Sequence, residues 1–247
     1  VLVRNPDLAH ISSEKQTQYV AKMFSSASRK YDLMNTIMTA GRHHAWRRIL
    51  IDSLANSNTG IALDVATGTG DVAMDLAKTS SVTKVVGIDL VPEMLNLASH
   101  KTKQKGLENH INYTLGNAQD LPFSDNKFTC ATVAFGIRNF ADRNKALKEL
   151  SRVVKPGGYI SILEIVRTNK NTLAGTLFPI YFRYITPLLG AILVGNREAY
   201  TYLPKSVQSF LSAEELASLA RCSGLKSVSL QKMALGAIAI VVGQNPL

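Results

Sequence analysis

From Ile61 to Ile165 the chain alternates between short apolar runs and stretches in which apolar side chains recur every three or four residues. Runs of four to eight apolar or β-branched residues mark strands, and the longer spacing marks helices packed along one face. The pattern predicts strands at Ile61–Val65, Lys84–Ile88, Ile111–Leu115, Phe128–Phe135 and Tyr159–Ile165. Between them it predicts a helix beginning near Asp71, a second over Pro92–Lys105 with its proline early and Gly106 as a stop, and a third over Asp142–Val153. The third is expected to end at Pro156-Gly157-Gly158 before the fifth strand begins. Strands alternating with helices in this way argue for a parallel sheet covered on both faces.

Both ends depart from the alternation. Ser13–Ala27 carries Tyr19, Val20, Met23, Phe24 and Ala27 at helical spacing, with Ser13 and Gln16 placed as a capping box. Further helical stretches follow at Tyr31–Met38 and His43–Leu54, so residues 1–57 are expected to form a helical cap over the sheet. Leu173–Gly195 is long and apolar, but Arg183 interrupts it and Pro179, Pro187 and Gly190 break it. A membrane-crossing helix there is costly, and residues 168–209 are expected to cover an apolar pocket instead. Phe210–Gly224 then reads as a helix, with Ser212 as N-cap, Glu215 completing a capping box and Leu211 placed to staple onto Leu216. Lys226–Lys232 and Ala237–Val242 are separated only by Met233–Gly236, too little chain for a helical crossover, so they must pair as a hairpin. The expectation is a single α/β domain with seven strands, mostly parallel and ending in an antiparallel one.

At 247 residues, 46% hydrophobic and 19% charged, the chain is long and apolar enough for one large folded domain. Cys130 and Cys222 form neither a disulfide framework nor a metal spacing, and the five histidines are scattered. A metal site is therefore not expected, and a reducing, cytoplasmic compartment is. No basic stretch followed by an apolar one opens the chain, so no signal peptide is expected. Of the net charge of +10, half sits in residues 1–50, where Arg4, Lys15, Lys22, Arg29, Lys30, Arg42, Arg47 and Arg48 face only Asp7, Glu14 and Asp32. Such a region attracts an anionic membrane or a nucleic acid, or simply stays solvated.

Candidate chemistry begins where the first strand ends. Asp64 and Asp89 bracket Ala66-Thr67-Gly68-Thr69-Gly70-Asp71, an arrangement of strand, glycine turn, helix, strand and acidic end that makes a pocket for a ribose-bearing cofactor. Gly68-Thr69-Gly70-Asp71-Val72-Ala73 fits the dinucleotide fingerprint, so a nicotinamide cofactor satisfies this pattern. S-adenosylmethionine (SAM) needs the same turn and the same ribose acceptor, but a cradle for an ammonium in place of one for a pyrophosphate. Asp64, four residues before Gly68, suits the ammonium and would repel a phosphate. A tight turn with no ligand would show the same glycines. The terminal hairpin weighs toward SAM, because the nicotinamide fold does not finish in an antiparallel strand.

Four segments then read together: Leu63–Asp71, Gly116–Phe123, Phe135-Gly136-Ile137-Arg138-Asn139 and Val154-Lys155-Pro156-Gly157-Gly158. With Tyr31-Asp32-Leu33-Met34-Asn35, Gly41, His43, Trp46-Arg47 and Tyr200-Thr201-Tyr202-Leu203, they resemble the ubiquinone/menaquinone biosynthesis C-methyltransferase family. That resemblance implies the Rossmann-like class I methyltransferase fold, with a cofactor core over residues 58–167 and a final helix and hairpin over residues 210–247. It implies SAM as cofactor and a polyprenyl quinol as substrate, a demethylmenaquinol before a ubiquinone-pathway benzoquinol. At the matching positions Gly68 and Gly70 would lie against the cofactor, Asp89 would hold its ribose, Asn117 and Ala118 would flank its adenine, and Ala73 would offer a backbone donor. Ala66 stands where the broader methyltransferase pattern has its first glycine, Ala73 where members often carry Thr, and Ala134 where some carry Ser.

The reaction needs no metal, because a sulfonium methyl is already activated. Its nucleophile is a ring carbon made electron-rich when a neighbouring hydroxyl loses its proton, so the protein must stabilise a phenolate and align the partners. Arg138 is the candidate cation, His43 the candidate base and Tyr31 a candidate for closing the pocket. Phe178, Tyr181, Phe182, Tyr184, Tyr200 and Tyr202 are expected around the quinol head and tail. A substrate dissolved in lipid gives the basic first fifth of the chain a reason, docking on the inner face of the membrane; a homodimer is compatible with the same reading. Signals for nucleic-acid methylation are missing: there is no Asn/Asp-Pro-Pro-Tyr/Phe stretch, and Cys130 lacks a preceding proline. A non-catalytic SAM-binding partner in a quinone-biosynthesis complex is the rival from outside the enzymes.

Overall fold

The structure, a computed structural model, describes residues 13–169 and 197–247. Seven strands form one sheet: β1 (Gly60–Val65), β2 (Val82–Asp89), β3 (Ile111–Leu115), β4 (Phe128–Ala134), β5 (Val154–Ile165), β6 (Lys226–Met233) and β7 (Ile238–Gln244). Their spatial order is β3-β2-β1-β4-β5-β7-β6. The first five pair in parallel, while β7 runs antiparallel between β5 and β6. The sheet therefore grows to one side from β1 and to the other from β4. The crevice beyond the carboxyl ends of two such neighbours is where ligands bind in open α/β sheets.

The described helices are α1 (Ser13–Ala27), α2 (Tyr31–Thr39), α3 (Arg42–Asp52), α4 (Asp71–Leu76), α5 (Pro92–Gln104), α6 (Arg143–Val153), α7 (Arg197–Gln208) and α8 (Ala213–Cys222). Strands buried on both faces send alternate side chains to two layers. Leu63, Val65, Val133 and Ile160 meet Leu147 and Leu150 of α6 and Leu216 of α8. Ala62, Val85, Cys130 and Leu163 meet Leu50 of α3 and Val72 and Met74 of α4. The capping box of α8 forms as the sequence predicts: Ser212 accepts from the Glu215 N–H, and the Glu215 carboxylate accepts from the Ser212 N–H. Ser13 lies inside α1 as its first residue, and its side chain falls outside the described set.

The largest boundary difference from the sequence pattern lies in the fifth strand. β5 begins at Val154 and contains Pro156-Gly157-Gly158, instead of starting after them. Val154 already pairs with Phe128, the register then shifts, and regular pairing resumes at Tyr159 opposite Cys130. The proline and glycines thus occupy a bulge, the one kind of strand-interior site that accepts a missing donor. Asn245 secures it, accepting from the Gly157 N–H and donating to the Val154 carbonyl. The apolar segment Leu173–Gly195, with Phe178, Tyr181, Phe182 and Tyr184, lies outside the described residues, as does the Tyr200 side chain.

Candidate active site

β1 delivers Asp64 to the crevice as a buried carboxylate. One oxygen accepts from the Thr67 hydroxyl at 2.6 Å and the other from the Thr132 hydroxyl of β4 at 2.7 Å. The Ala73 N–H in the first turn of α4 also points at it. Burial still dominates and pushes its pKa up to about 6. β2 delivers Asp89, whose carboxylate accepts from the Gly68 N–H at 2.8 Å and the Val91 N–H at 3.0 Å. Its pKa is also raised by burial, against the pull of those N–H groups. The side chain that the sequence assigns to a ribose therefore also holds the glycine turn in place.

The two glycines of that turn do different things. Both are left-handed, Gly68 at φ +56° and Gly70 at φ +82°. A Cβ added at Gly68 meets nothing within 4 Å, so this face of the turn is open to a ligand. At Gly70 it would lie 2.3 Å from the Tyr113 hydroxyl and 2.9 Å from Ala98 Cβ, so there the missing side chain admits β3 and α5. Ala66 is also left-handed, at φ +55°, a conformation that costs an L-residue about 1 kcal/mol.

Two cavities meet at the turn. The first, about 780 Å³, is lined by Gly68, Asp89, Leu90, Asn117 and Ala118, and is roofed by Val20, Ala21 and Phe24 of α1. The second, about 1110 Å³, is lined by Asp64, Thr67, His43, Arg47, Arg138 and Tyr202. Phe24, Tyr31, Ala66, Gly68, Ala134 and Phe135 border both, so the two spaces adjoin along a mainly apolar boundary. The open face of Gly68 and the carboxylates to either side of it fit the needs of SAM, for which the sequence reading expects the ribose at Asp89 and the amino-acid end at Asp64. Gly70 and Ala73 border neither cavity.

The three candidate catalytic residues come together in the second cavity. Arg138 is buried, and its Nη1 donates to Glu164 at 2.7 Å and to the Phe135 carbonyl at 2.6 Å. Burial opposes its charge, but Glu164, Tyr31 and Tyr202 together outweigh that, and its pKa is raised. Tyr31 has its pKa raised by burial, with Arg138 and Asn35 pulling the other way. His43 is buried with Nδ1 2.7 Å from the Thr39 hydroxyl, and burial, Arg47 and His44 bring its pKa down to about 4. Among the described residues, no group of three or more His, Cys, Asp or Glu is gathered to hold a metal.

Some residues of the site escape a reading of local motifs. Lys101 of α5 donates to Asp32 of α2 and to Asp71 of α4, both at 2.6 Å, and Arg47 of α3 donates to Asp71 at 2.6 Å. These pairs fasten the helical cap to the sheet domain. Arg47 and Lys101 outweigh the burial of Asp71 and hold its pKa low. Glu164, at the end of β5, is fully buried against Arg138. Its signal was present in the sequence, since an acid closes the apolar run of β5 as Asp64 and Asp89 close theirs.

The glycines separate in a direct test. Gly70→Ala is expected to destabilise the protein by about 2 kcal/mol or more in thermal or urea unfolding, through the collision with Tyr113 and the strained φ. Gly68→Ala is expected to cost only about 1 kcal/mol of stability. It should nevertheless weaken SAM binding at least about tenfold in calorimetric titration. Equal loss of SAM affinity in both folded variants would contradict the assignment.

Comparison with known proteins bears on the fold and the family. Solved structures share the fold at low identity. The [4+2]-cyclase SpnF has a TM-score of 0.70 at 15% identity, covering 94% of this chain and 97% of that one. A SAM-dependent methyltransferase from Aquifex aeolicus has a TM-score of 0.58 at 21% identity, covering 81% and 89%. Among curated proteins, the demethylmenaquinone methyltransferase of Thermus thermophilus is 40% identical over 91% of this chain and 100% of its own length. The ubiquinone/menaquinone biosynthesis C-methyltransferase UbiE of Haemophilus ducreyi is 35% identical over 93% and 89%. The model of the ubiE/COQ5 methyltransferase family matches residues 12–245. The chain belongs to that family, and SAM is its methyl donor.

Proposed function

We propose that the chain methylates a ring carbon of a reduced polyprenyl naphthoquinone, converting a demethylmenaquinol to a menaquinol. The observation that carries this is the adjacency of the two cavities: a cofactor space shares an apolar boundary with a second space that is lined by a buried cation, Arg138. The names of relatives from Thermus thermophilus and Deinococcus radiodurans support the naphthoquinol. Relatives from Haemophilus ducreyi and Rickettsia bellii carry names that cover ubiquinone as well, which keeps a benzoquinol as the second substrate class.

SAM, when bound, supplies an activated methyl group. Asp89 holds the ribose hydroxyls and Asp64 the ammonium, while Asn117 and Ala118 border the adenine. Asn117 Oδ1 already accepts from the Gln119 N–H at 2.9 Å, so its amide NH₂ is the group left for the base edge. In the second cavity Arg138 stabilises the phenolate that forms when a ring hydroxyl loses its proton. His43 is uncharged at neutral pH and, with its pKa near 4, too weak a base to drive that loss; it acts as a polar wall. Tyr31, which borders both cavities, positions the ring against the methyl.

The substrate's lipid solubility also suggests a surface for docking. Arg42 and Arg48 are exposed on α3, whereas Arg47 is buried against Asp71 and is not available to headgroups. No described helix is long and apolar enough to cross a membrane. Peripheral contact through Arg42 and Arg48 is the form we propose. The double variant Arg42→Ser/Arg48→Ser should lose about tenfold or more in affinity for anionic vesicles, at about 1 kcal/mol per basic residue. Vesicle binding unchanged by it would rule this surface out.

Labelled SAM incubated with each reduced quinone tests the chemistry. Transfer to the demethylnaphthoquinol is expected to exceed transfer to the benzoquinol, and transfer to neither by protein that binds SAM would sink the enzymatic reading. The role of Asp64 has its own test. Its carboxyl is raised to about 6 in the free protein, and an ammonium held beside it favours the ionised form. SAM affinity should therefore be full above pH 6 and fall by up to about tenfold per pH unit below it. Asp64→Asn should bind SAM weakly and without that acid slope; a slope retained in this variant would assign it to Asp89 instead.

A further inference from the structure

A buried ion pair is an expensive way to hold a protein together. Both ions must be taken out of water, and apolar replacements of similar volume are often as stable or more so. The pair between Arg138 and Glu164 lies at the edge of the second cavity, with Glu164 fully buried at the carboxyl end of β5. Its geometry does more than match two charges. Glu164 Oε2 accepts from the main-chain N–H of Arg138 at 3.1 Å, and Oε1 accepts from the guanidinium at 2.7 Å and from the Ile165 N–H at 2.8 Å. One carboxylate thus grips Arg138 at both its backbone and its side-chain end, and is itself oriented by its own strand.

The grip is confined to one corner of the guanidinium. Nη1 makes the bonds to Glu164 and to the Phe135 carbonyl, while Nε is buried with no partner. A buried donor without a partner is unfavourable, and this one belongs to the guanidinium that borders the second cavity. The hydroxyls of Tyr31 and Tyr202 feel the same cation, and the Tyr202 hydroxyl donates to Asn139, the next residue, at 3.1 Å. Fixed donors aimed at a developing anion need no reorganisation when the charge appears.

We infer that Glu164 is the positioning residue for Arg138: it fixes the guanidinium at the substrate cavity so that Arg138 meets the ring oxygen that becomes anionic. The inference rests on the proposed role of Arg138 in quinol methylation. Glu164 touches neither substrate nor cofactor in this arrangement and acts only through Arg138.

The test uses the full chain, with Glu164→Gln, Glu164→Asp, Arg138→Met and the double variant Arg138→Met/Glu164→Gln. Turnover of the demethylnaphthoquinol and SAM binding by calorimetry are the readouts. Glu164→Gln is expected to lower kcat about 100-fold, with KM for the quinol and SAM affinity within about threefold of wild type. Glu164→Asp, which keeps the charge, should recover part of that loss. In the Arg138→Met background, adding Glu164→Gln should change kcat by less than about threefold, because residues that act as a unit are not additive. A kcat unchanged in Glu164→Gln, or losses that multiply in the double variant, would overturn the inference. Should Glu164→Gln fail to bind SAM as folded protein, Glu164→Asp decides: a wild-type kcat there refutes the positioning role, and a lowered kcat at unchanged KM supports it. Wild-type protein that binds SAM but methylates no quinol would instead overturn the proposed function.

Discussion

The site depends on one buried carboxylate. Asp64 ties the end of β1 to β4 through Thr132, to the glycine turn through Thr67 and to the start of α4 through the Ala73 N–H. β1 and β4 are the strands at which the sheet changes its direction of growth, with Asp64 opposite Thr132 in register. The crevice opens there, and its floor is the turn that Asp64 anchors. Three partners do not fully offset the burial of the charge, which is why the group titrates near 6. The ammonium proposed to lie beside it would offset the remaining cost of that buried charge.

A second set of charges attaches the cap. Asp71 opens α4 next to the turn, and it draws in Arg47 from α3 and Lys101 from α5, while Lys101 also holds Asp32 of α2. The Thr69 hydroxyl in the turn donates to the same Asp32 at 2.6 Å. The turn is thus gripped from above by the cap and from below by Asp64 and Asp89. Part of the basic character of the first fifth of the chain is spent on this internal network. Charge counted along a sequence therefore overstates the charge offered to a membrane.

Much of this was legible in the sequence, and what was not has a common cause. The alternation of strands and helices, the terminal hairpin, the α8 capping box and the Asp64–Asp89 bracket are local patterns, set by side-chain periodicity and turn chemistry within a few residues. The division of labour between Gly68 and Gly70 is not local. It is decided by Tyr113, 43 residues beyond Gly70 on β3, whose hydroxyl occupies the space a side chain would need. Ala73 likewise lies in the right turn of α4, but its N–H is directed at Asp64 and its side chain into the core. The bulge at Pro156-Gly157-Gly158 reads as a stop because proline and glycine usually are one; only the pairing of Val154 with Phe128 makes it strand.

The surroundings of the second cavity also narrow how the ring hydroxyl can lose its proton. An unperturbed phenol has a pKa of about 10, so at neutral pH either a base must take the proton or the site must lower that value. Tyr31 and Tyr202 have raised values and cannot serve as bases, and Arg138 is held in its charged form. His43 is too acidic and already engaged with Thr39. Asp64 is the one described side chain of this cavity whose raised pKa brings it toward neutrality, and its oxygens are committed to two hydroxyls and an N–H. On the proposed assignment the chain contributes stabilisation of the anion more than removal of the proton. In that proposal the fixed cation, beside largely apolar walls, would lower the phenol's pKa, and the proton would leave to water. On that account the placement of Arg138, and the carboxylate that fixes it, matter more than any base in the cavity.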